Sequence, residues 1–206
     1  MTSTLRRTGA VAALALALTG GLSACGSSND DAADTTTTTA ASTGMASDAG
    51  AQTFGPACSA IPTSGAGSFD GMVNDPVATA ASNNPLLKTL VAAVTKAGLV
   101  DTLNGASGLT VFAPTNDAFA KIPAKQLKAV LANKKVLTEI LTHHVIAGQL
   151  DPSQVVGAQT TLNKDKVTVA GSTDAMTVDG AHVLCGNIPT ANATVYVIDQ
   201  VLLPKM

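Results

Sequence analysis

Two adjacent histidines, His143 and His144, are the residues of this chain whose type most directly invites chemistry. An imidazole can shuttle protons near neutral pH or ligate a metal ion. Neighbouring residues on an extended segment point to opposite faces, so the pair is poorly placed to share one metal, and a hydrogen-bonded structural role is expected for His144. Asp117 could act as an acid or base only with a partner in a pocket; as a first-turn helix residue it is accounted for by the helix dipole. No Gly-x-Ser-x-Gly elbow, phosphate loop or metal-spaced His/Cys cluster accompanies them. The expectation is no enzyme, no metal and no cofactor. Cys25, Cys58 and Cys185 are too few and too scattered for a zinc ribbon or a disulfide-dense scaffold. Asn192-Ala193-Thr194 has the form of a glycosylation sequon, but it falls where a strand is expected to start and is read as coincidence. Lys121, Lys125, Lys128, Lys134 and Lys135 could form a basic stripe and are read as a solvated helical face.

The elements that would position these residues can be read from their period. Asp75-Pro76 and Asn84-Pro85 each place a capping side chain before a proline suited to the first helical position. After Asn84, Leu86, Leu87, Leu90, Val91 and Val94 recur at helical spacing, and Gly98 stands where a left-handed cap belongs. A second helical region runs from Pro123 to about Thr142, interrupted at Asn133. After His144 the period becomes that of strands. Asp179-Gly180 marks a tight hairpin, and the apolar run from Val195 to Leu203 suits a strand buried on both faces. Helices segregated before strands argue for an α+β domain. With 46% apolar residues the chain can build a core, which excludes wholesale disorder. A charge of -2 and 2% aromatic residues argue against a nucleic-acid partner.

The first 24 residues read as a bacterial export signal, with Arg6 and Arg7 before the apolar run Val11 to Leu18, which is short of the roughly 20 residues that span a bilayer. The run ends at Leu22-Ser23-Ala24-Cys25, which resembles a lipobox, so Cys25 is the expected lipidation site and the anchor to the outer face of the membrane. Residues 25–54 follow as a flexible Thr/Ala/Asp-rich tether, on the order of 30 Å long as a coil. Its run Thr35, Thr36, Thr37, Thr38 and Thr39 either carries O-linked sugar or is a bare solvated linker. Residues 55–206 form a single domain. Arg6 and Arg7 leave with the signal, and Asp30, Asp31, Asp34 and Asp48 sit in the tether, so the domain itself balances ten lysines against ten acids.

Thr110-Val111-Phe112-Ala113-Pro114-Thr115-Asn116-Asp117-Ala118-Phe119 closely resembles the first signature of the fasciclin (FAS1) domain. The segment Leu137 to Gly148 matches the second, and Ala193 to Asp199 resembles the closing strand. Within that family the lipobox, tether and single domain resemble the mycobacterial secreted and lipid-anchored surface antigens. The resemblance implies a wedge of two β-sheets with helices along one side, extracellular exposure, and adhesion to matrix, host or envelope protein. In the family the place of His143 is usually a tyrosine, and this tyrosine-histidine region is implicated in adhesion in animal members; His143 departs from the pattern. Gly55-Pro56-Ala57-Cys58 and Val183-Leu184-Cys185-Gly186 resemble the cysteine-bearing ends of those antigens. With Cys25 acylated, two cysteines remain in an oxidising compartment, where pairing is expected and two buried free thiols are the alternative. A second functional possibility is a carrier whose interior holds a small hydrophobic or lipid ligand.

Overall fold

Helices with short connections occupy the first half of the fold in the computed structural model, which describes residues 48–204. The export signal, Cys25 and Thr35 to Thr39 lie outside the described residues. Helices α1 (Phe69–Met72), α2 (Val77–Asn83), α3 (Lys88–Ala97) and α4 (Val100–Gly105) precede strand β1 (Leu109–Pro114). Next come α5 (Asn116–Ala120), α6 (Ala124–Ala132) and α7 (Lys134–His143). The remainder is β2 (Val145–Ala147), β3 (Gly157–Thr160), β4 (Lys166–Ala170), β5 (Thr177–Val178), β6 (Ala181–Pro189) and β7 (Ala193–Ile198).

The local signals act as expected at three places. Asn84 Oδ1 accepts from Leu86 N at 3.0 Å and Pro85 opens the turn that leads into α3, while Gly98, at φ 74°, ends that helix in a conformation a side chain would strain. Asn133 breaks the second helical region: its ψ of 98° ends α6, and its Oδ1 accepts from Lys135 N and Val136 N to start α7. Asp179 and Gly180 have φ of 46° and 88°, as a tight hairpin turn requires.

At Asp75-Pro76 the expectation fails. Pro76 is the cap residue rather than the first helical one, and Asp75 caps nothing. The first N–H groups of α2 are instead satisfied from afar, Val77 N by Asn192 Oδ1 and Ala78 N by Asn104 Oδ1, each at 2.9 Å.

The strands lie in the order β2-β1-β7-β6-β5-β4-β3, so the two expected sheets are halves of one seven-stranded sheet joined through β6. All neighbours are antiparallel except β1 and β7, which pair in parallel over six residues, Leu109 with Ala193 through Pro114 with Ile198. The two edges meet where Leu162 N donates to Val145 O at 2.8 Å and Ile146 bridges Thr161. β1 and β7 are buried on both faces. Val111, Ala113, Val195 and Val197 face the helices with Leu90, Val94, Leu137 and Leu141, while Phe112, Tyr196 and Ile198 face a second core with Val167, Val169 and Val178. The closing strand stops at Ile198 instead of reaching Leu203. The tether also ends earlier than its composition implies: Phe54 pairs with Gly186, and Asn187 Nδ2 donates to Gln52 O at 3.1 Å.

Candidate interaction site

The two histidines are not on an extended segment. His143 is the last residue of α7 and His144 its C-cap, with their rings edge-on at 89° and 6.3 Å between centroids. Both are buried. His144 Nδ1 lies 2.8 Å from Ile140 O, and its Nε2 accepts from Leu202 N at 2.9 Å, which selects the neutral tautomer protonated on Nδ1. Burial pushes its pKa down to about 4. His143 Nδ1 lies 2.7 Å from Asp165 Oδ2, within ion-pair distance but not aligned for a hydrogen bond, and its Nε2 is buried without a polar partner. Burial opposes ionisation of Asp165, but contacts from Thr161, His143 and Asn163 outweigh it and hold the carboxyl below its usual range. The rings thus serve opposite directions, one tying α7 to the C-terminal tail and the other reaching the loop after β3. Among the described residues no three His, Cys, Asp or Glu side chains converge as metal ligands.

The polar residues of the first signature work inside the fold. Thr110 Oγ1 donates to Gly148 O at 2.7 Å and accepts from Leu150 N at 2.9 Å. Thr115 Oγ1 caps α5 by accepting from Ala118 N. Asn116 joins α5 to α3: its Oδ1 accepts from Thr89 N and Oγ1, and its Nδ2 donates to Pro85 O. Asp117 is a first-turn residue, as expected. Thr115, Asn116 and Asp117 line a cleft of about 530 Å³ with Cys185, Lys121 and Asp199, the last two joined by a 2.9 Å ion pair. Phe112 and Phe119 are core residues, and Pro114 ends β1. Cys58 and Cys185 form a disulfide across 127 residues of sequence, with Cα atoms 4.9 Å apart.

His144 lies elsewhere, at the base of an apolar groove of about 390 Å³ bounded by α5, α6, α7 and tail residues 201–204. Asp117 and His144 therefore line different cavities and cannot act as an acid-base pair. A smaller apolar cleft of about 70 Å³ opens on the other side of His144, against α2, α3 and α4.

Residues 85–204, more than half of the chain, match the family model described as the fasciclin domain. The chain belongs to the fasciclin family. This fasciclin domain is 51% identical over 159 residues to the immunogenic protein MPB70 of Mycobacterium bovis, a match covering 73% of this chain and 81% of that protein. It is 48% identical over 170 residues to the cell surface glycolipoprotein MPB83 of the same species, covering 79% and 77%. Among solved structures, a FAS1 domain pair from the insect cell adhesion molecule Fasciclin I matches with a TM-score of 0.49 and 22% identity, over 57% of this chain and 45% of that one.

Two parts of this fasciclin domain escaped sequence reasoning. Asn192, read as a coincidental sequon, is a structural clasp: besides capping α2, its Nδ2 donates to Leu103 O and Ala106 O at 2.8 Å and to Asn104 O at 3.3 Å. The groove was not foreseen because its walls come from α6, α7 and a tail expected to be strand. What the domain offers to solvent is aliphatic and charged rather than aromatic. Leu203, Leu162 and Val156 are its exposed large apolar residues, whereas every phenylalanine and Tyr196 is at least half-buried. The Tyr196 phenol donates to Leu150 O at 3.0 Å, and burial pushes its pKa up.

Proposed function

We propose that this fasciclin domain is a non-enzymatic binding module, held at the outer face of the cell membrane by lipid on Cys25, that adheres to a protein of the extracellular matrix, the host surface or the envelope. One observation carries the reading. Four polar side chains of the family signatures, Thr110, Thr115, Asn116 and His144, are occupied by hydrogen bonds within the fold, while Asp117 and His143 stand in different places with no shared pocket, leaving the signatures to shape a scaffold. Membership of the fasciclin family, and likeness to a relative named as a cell surface glycolipoprotein, support surface display. With no exposed aromatic anchor, each contact is weak, and adhesion depends on many copies presented on tethers.

The test joins anchorage to binding. Cells expressing the full chain are fed a radiolabelled fatty acid and layered on arrays of matrix, host-surface and envelope proteins. Label on the parent, none on Cys25→Ala, and saturable retention that needs Cys25 are expected. Label on Cys25→Ala refutes the anchor, and equal retention of cells lacking the protein on every array refutes adhesion.

A further inference from the structure

Helix α6 covers a space that it does not fill. None of its residues is buried, whereas Leu137, Ile140, Leu141 and His143 of α7 are. The groove of about 390 Å³ beneath it falls within the range of roughly 300–1,000 Å³ typical of small-ligand sites. Protein interiors are close-packed and leave few voids larger than a water molecule, so an apolar space of this size beside a half-packed helix is room for a ligand. Phe119, Leu127, Val130, Leu137, Ile140 and Leu203 are among the apolar residues of its wall. His144 at the base is neutral near pH 7, so the floor carries no charge. Pro123 and Asn133, with extended ψ of 131° and 98°, flank α6 and set it off from the elements on either side.

The rim is cationic. Between Asp117 and Glu139 the chain carries five lysines and no acid. Lys121 is paired with Asp199, but Lys125 and Lys128 are exposed and have no ion-pair partner among the described residues. They stand one turn apart on α6, in the row beside Gln126 and Ala129, which line the groove. Glu139 is the acid of the lining; it stands on α7, across the groove from the Lys125 and Lys128 side of α6, and Lys135 precedes it by one helical turn. An apolar slot next to two unpaired ammonium groups is complementary to an amphiphile with a hydrocarbon chain and an anionic head.

We propose that the groove beneath α6 binds a long-chain carboxylate, its acyl chain among Phe119, Leu127, Val130 and Ile140 and its head group at Lys125 and Lys128. This site does not depend on adhesion to a protein partner, and either property can hold without the other.

The experiment uses the full chain carrying C25S, so that it has no acyl chain of its own, titrated with cis-parinaric acid, a fluorescent long-chain polyene carboxylate. A saturable one-to-one rise in fluorescence, displaced by oleate, is expected. Ala129→Trp, an exposed position on the groove wall, fills the slot and lowers affinity about tenfold or more while the circular dichroism spectrum is kept. Gln126→Trp, also exposed on the wall, serves as a second block should Ala129→Trp misfold. Reversing Lys125 and Lys128 together to Glu weakens displacement by oleate about tenfold and leaves displacement by methyl oleate unchanged. The proposal is overturned by the absence of saturable binding, by undiminished affinity in a folded tryptophan variant, or by equal loss for acid and ester. Association with lipid vesicles without binding of monomeric parinarate also overturns it.

Discussion

Acid is expected to weaken this domain through one side chain, His144. Its Nε2 accepts from Leu202 N, so a proton arriving there would set two N–H groups against each other and break the tie between α7 and the C-terminal tail. The imidazole is held at about 4 in the fold, against an ordinary value of 6.5: burial lowers it most, the bond to Ile140 O opposes this, and the nearby His143 adds to the lowering. The unfolded chain therefore takes up this proton first as pH falls. The stabilising contribution of neutral His144 is complete above pH 6.5, is lost progressively on acidification to about pH 4, and changes no further below that. A shift of this size corresponds to about 3 kcal/mol, a large share of the roughly 5–15 kcal/mol that hold a typical domain together. Urea midpoints measured across this window give the stability of the parent and of His144→Gln, and their difference isolates the residue from the carboxylates of Asp151, Asp165 and Asp199. Those carboxyls are held below the usual range and act at lower pH. A parent curve that stays flat from about pH 7 to about pH 4, or a His144→Gln curve of the same slope, would refute the reasoning.

Two further outcomes follow from the geometry. Asn192→Ala removes the acceptor for Val77 N and the donors to three carbonyls, and is expected to lower urea stability by about 2–4 kcal/mol; a change below about 0.5 kcal/mol would show that water replaces the clasp. Cys58→Ser with Cys185→Ser opens a crosslink spanning 127 residues and is expected to cost up to about 5 kcal/mol by chain entropy. Thiol titration of the unfolded, unreduced parent should find both cysteines blocked, and two reactive thiols there would contradict the bridge.

The sequence was most informative where a conformation depends on near neighbours. Asn84-Pro85, Gly98, Asn133 and Asp179-Gly180 act through bonds made within a few residues or through a single φ angle, and each does in the fold what its chemistry implies. Asp75-Pro76 carries the same local signal and fails, because Asn192, 115 residues beyond Val77, supplies the acceptor that Asp75 would have supplied. The same distance hides the parallel pairing of β1 with β7, since an apolar strand buried on both faces does not announce its neighbour. His144 was legible as a hydrogen-bonded residue, but its setting was mistaken. The helix runs through His143, so the rings diverge by helical geometry rather than by strand alternation. The groove was least legible, because the half-exposed apolar residues of α6 look the same in sequence whether they pack tightly or roof an open space.

The bond between Cys58 and Cys185 also fixes how the domain carries tension. A pull entering from the N-terminal side reaches Cys58 and crosses covalently to β6, which lies between β5 and β7 inside the sheet. Residues 59–184, which include all the helices and five of the seven strands, fall within the closed loop and bear no load between the ends of the chain. For a protein tethered at one end and gripped near the other, what can be drawn out is the stretch before Cys58, which pairs with β6, and the end of β6, β7 and the tail after Cys185. Drawing out the tail would take Val201, Leu203 and Pro204 from the groove wall and break the Leu202 bond to His144, so tension would open the groove while the crosslink holds the two ends of the loop together.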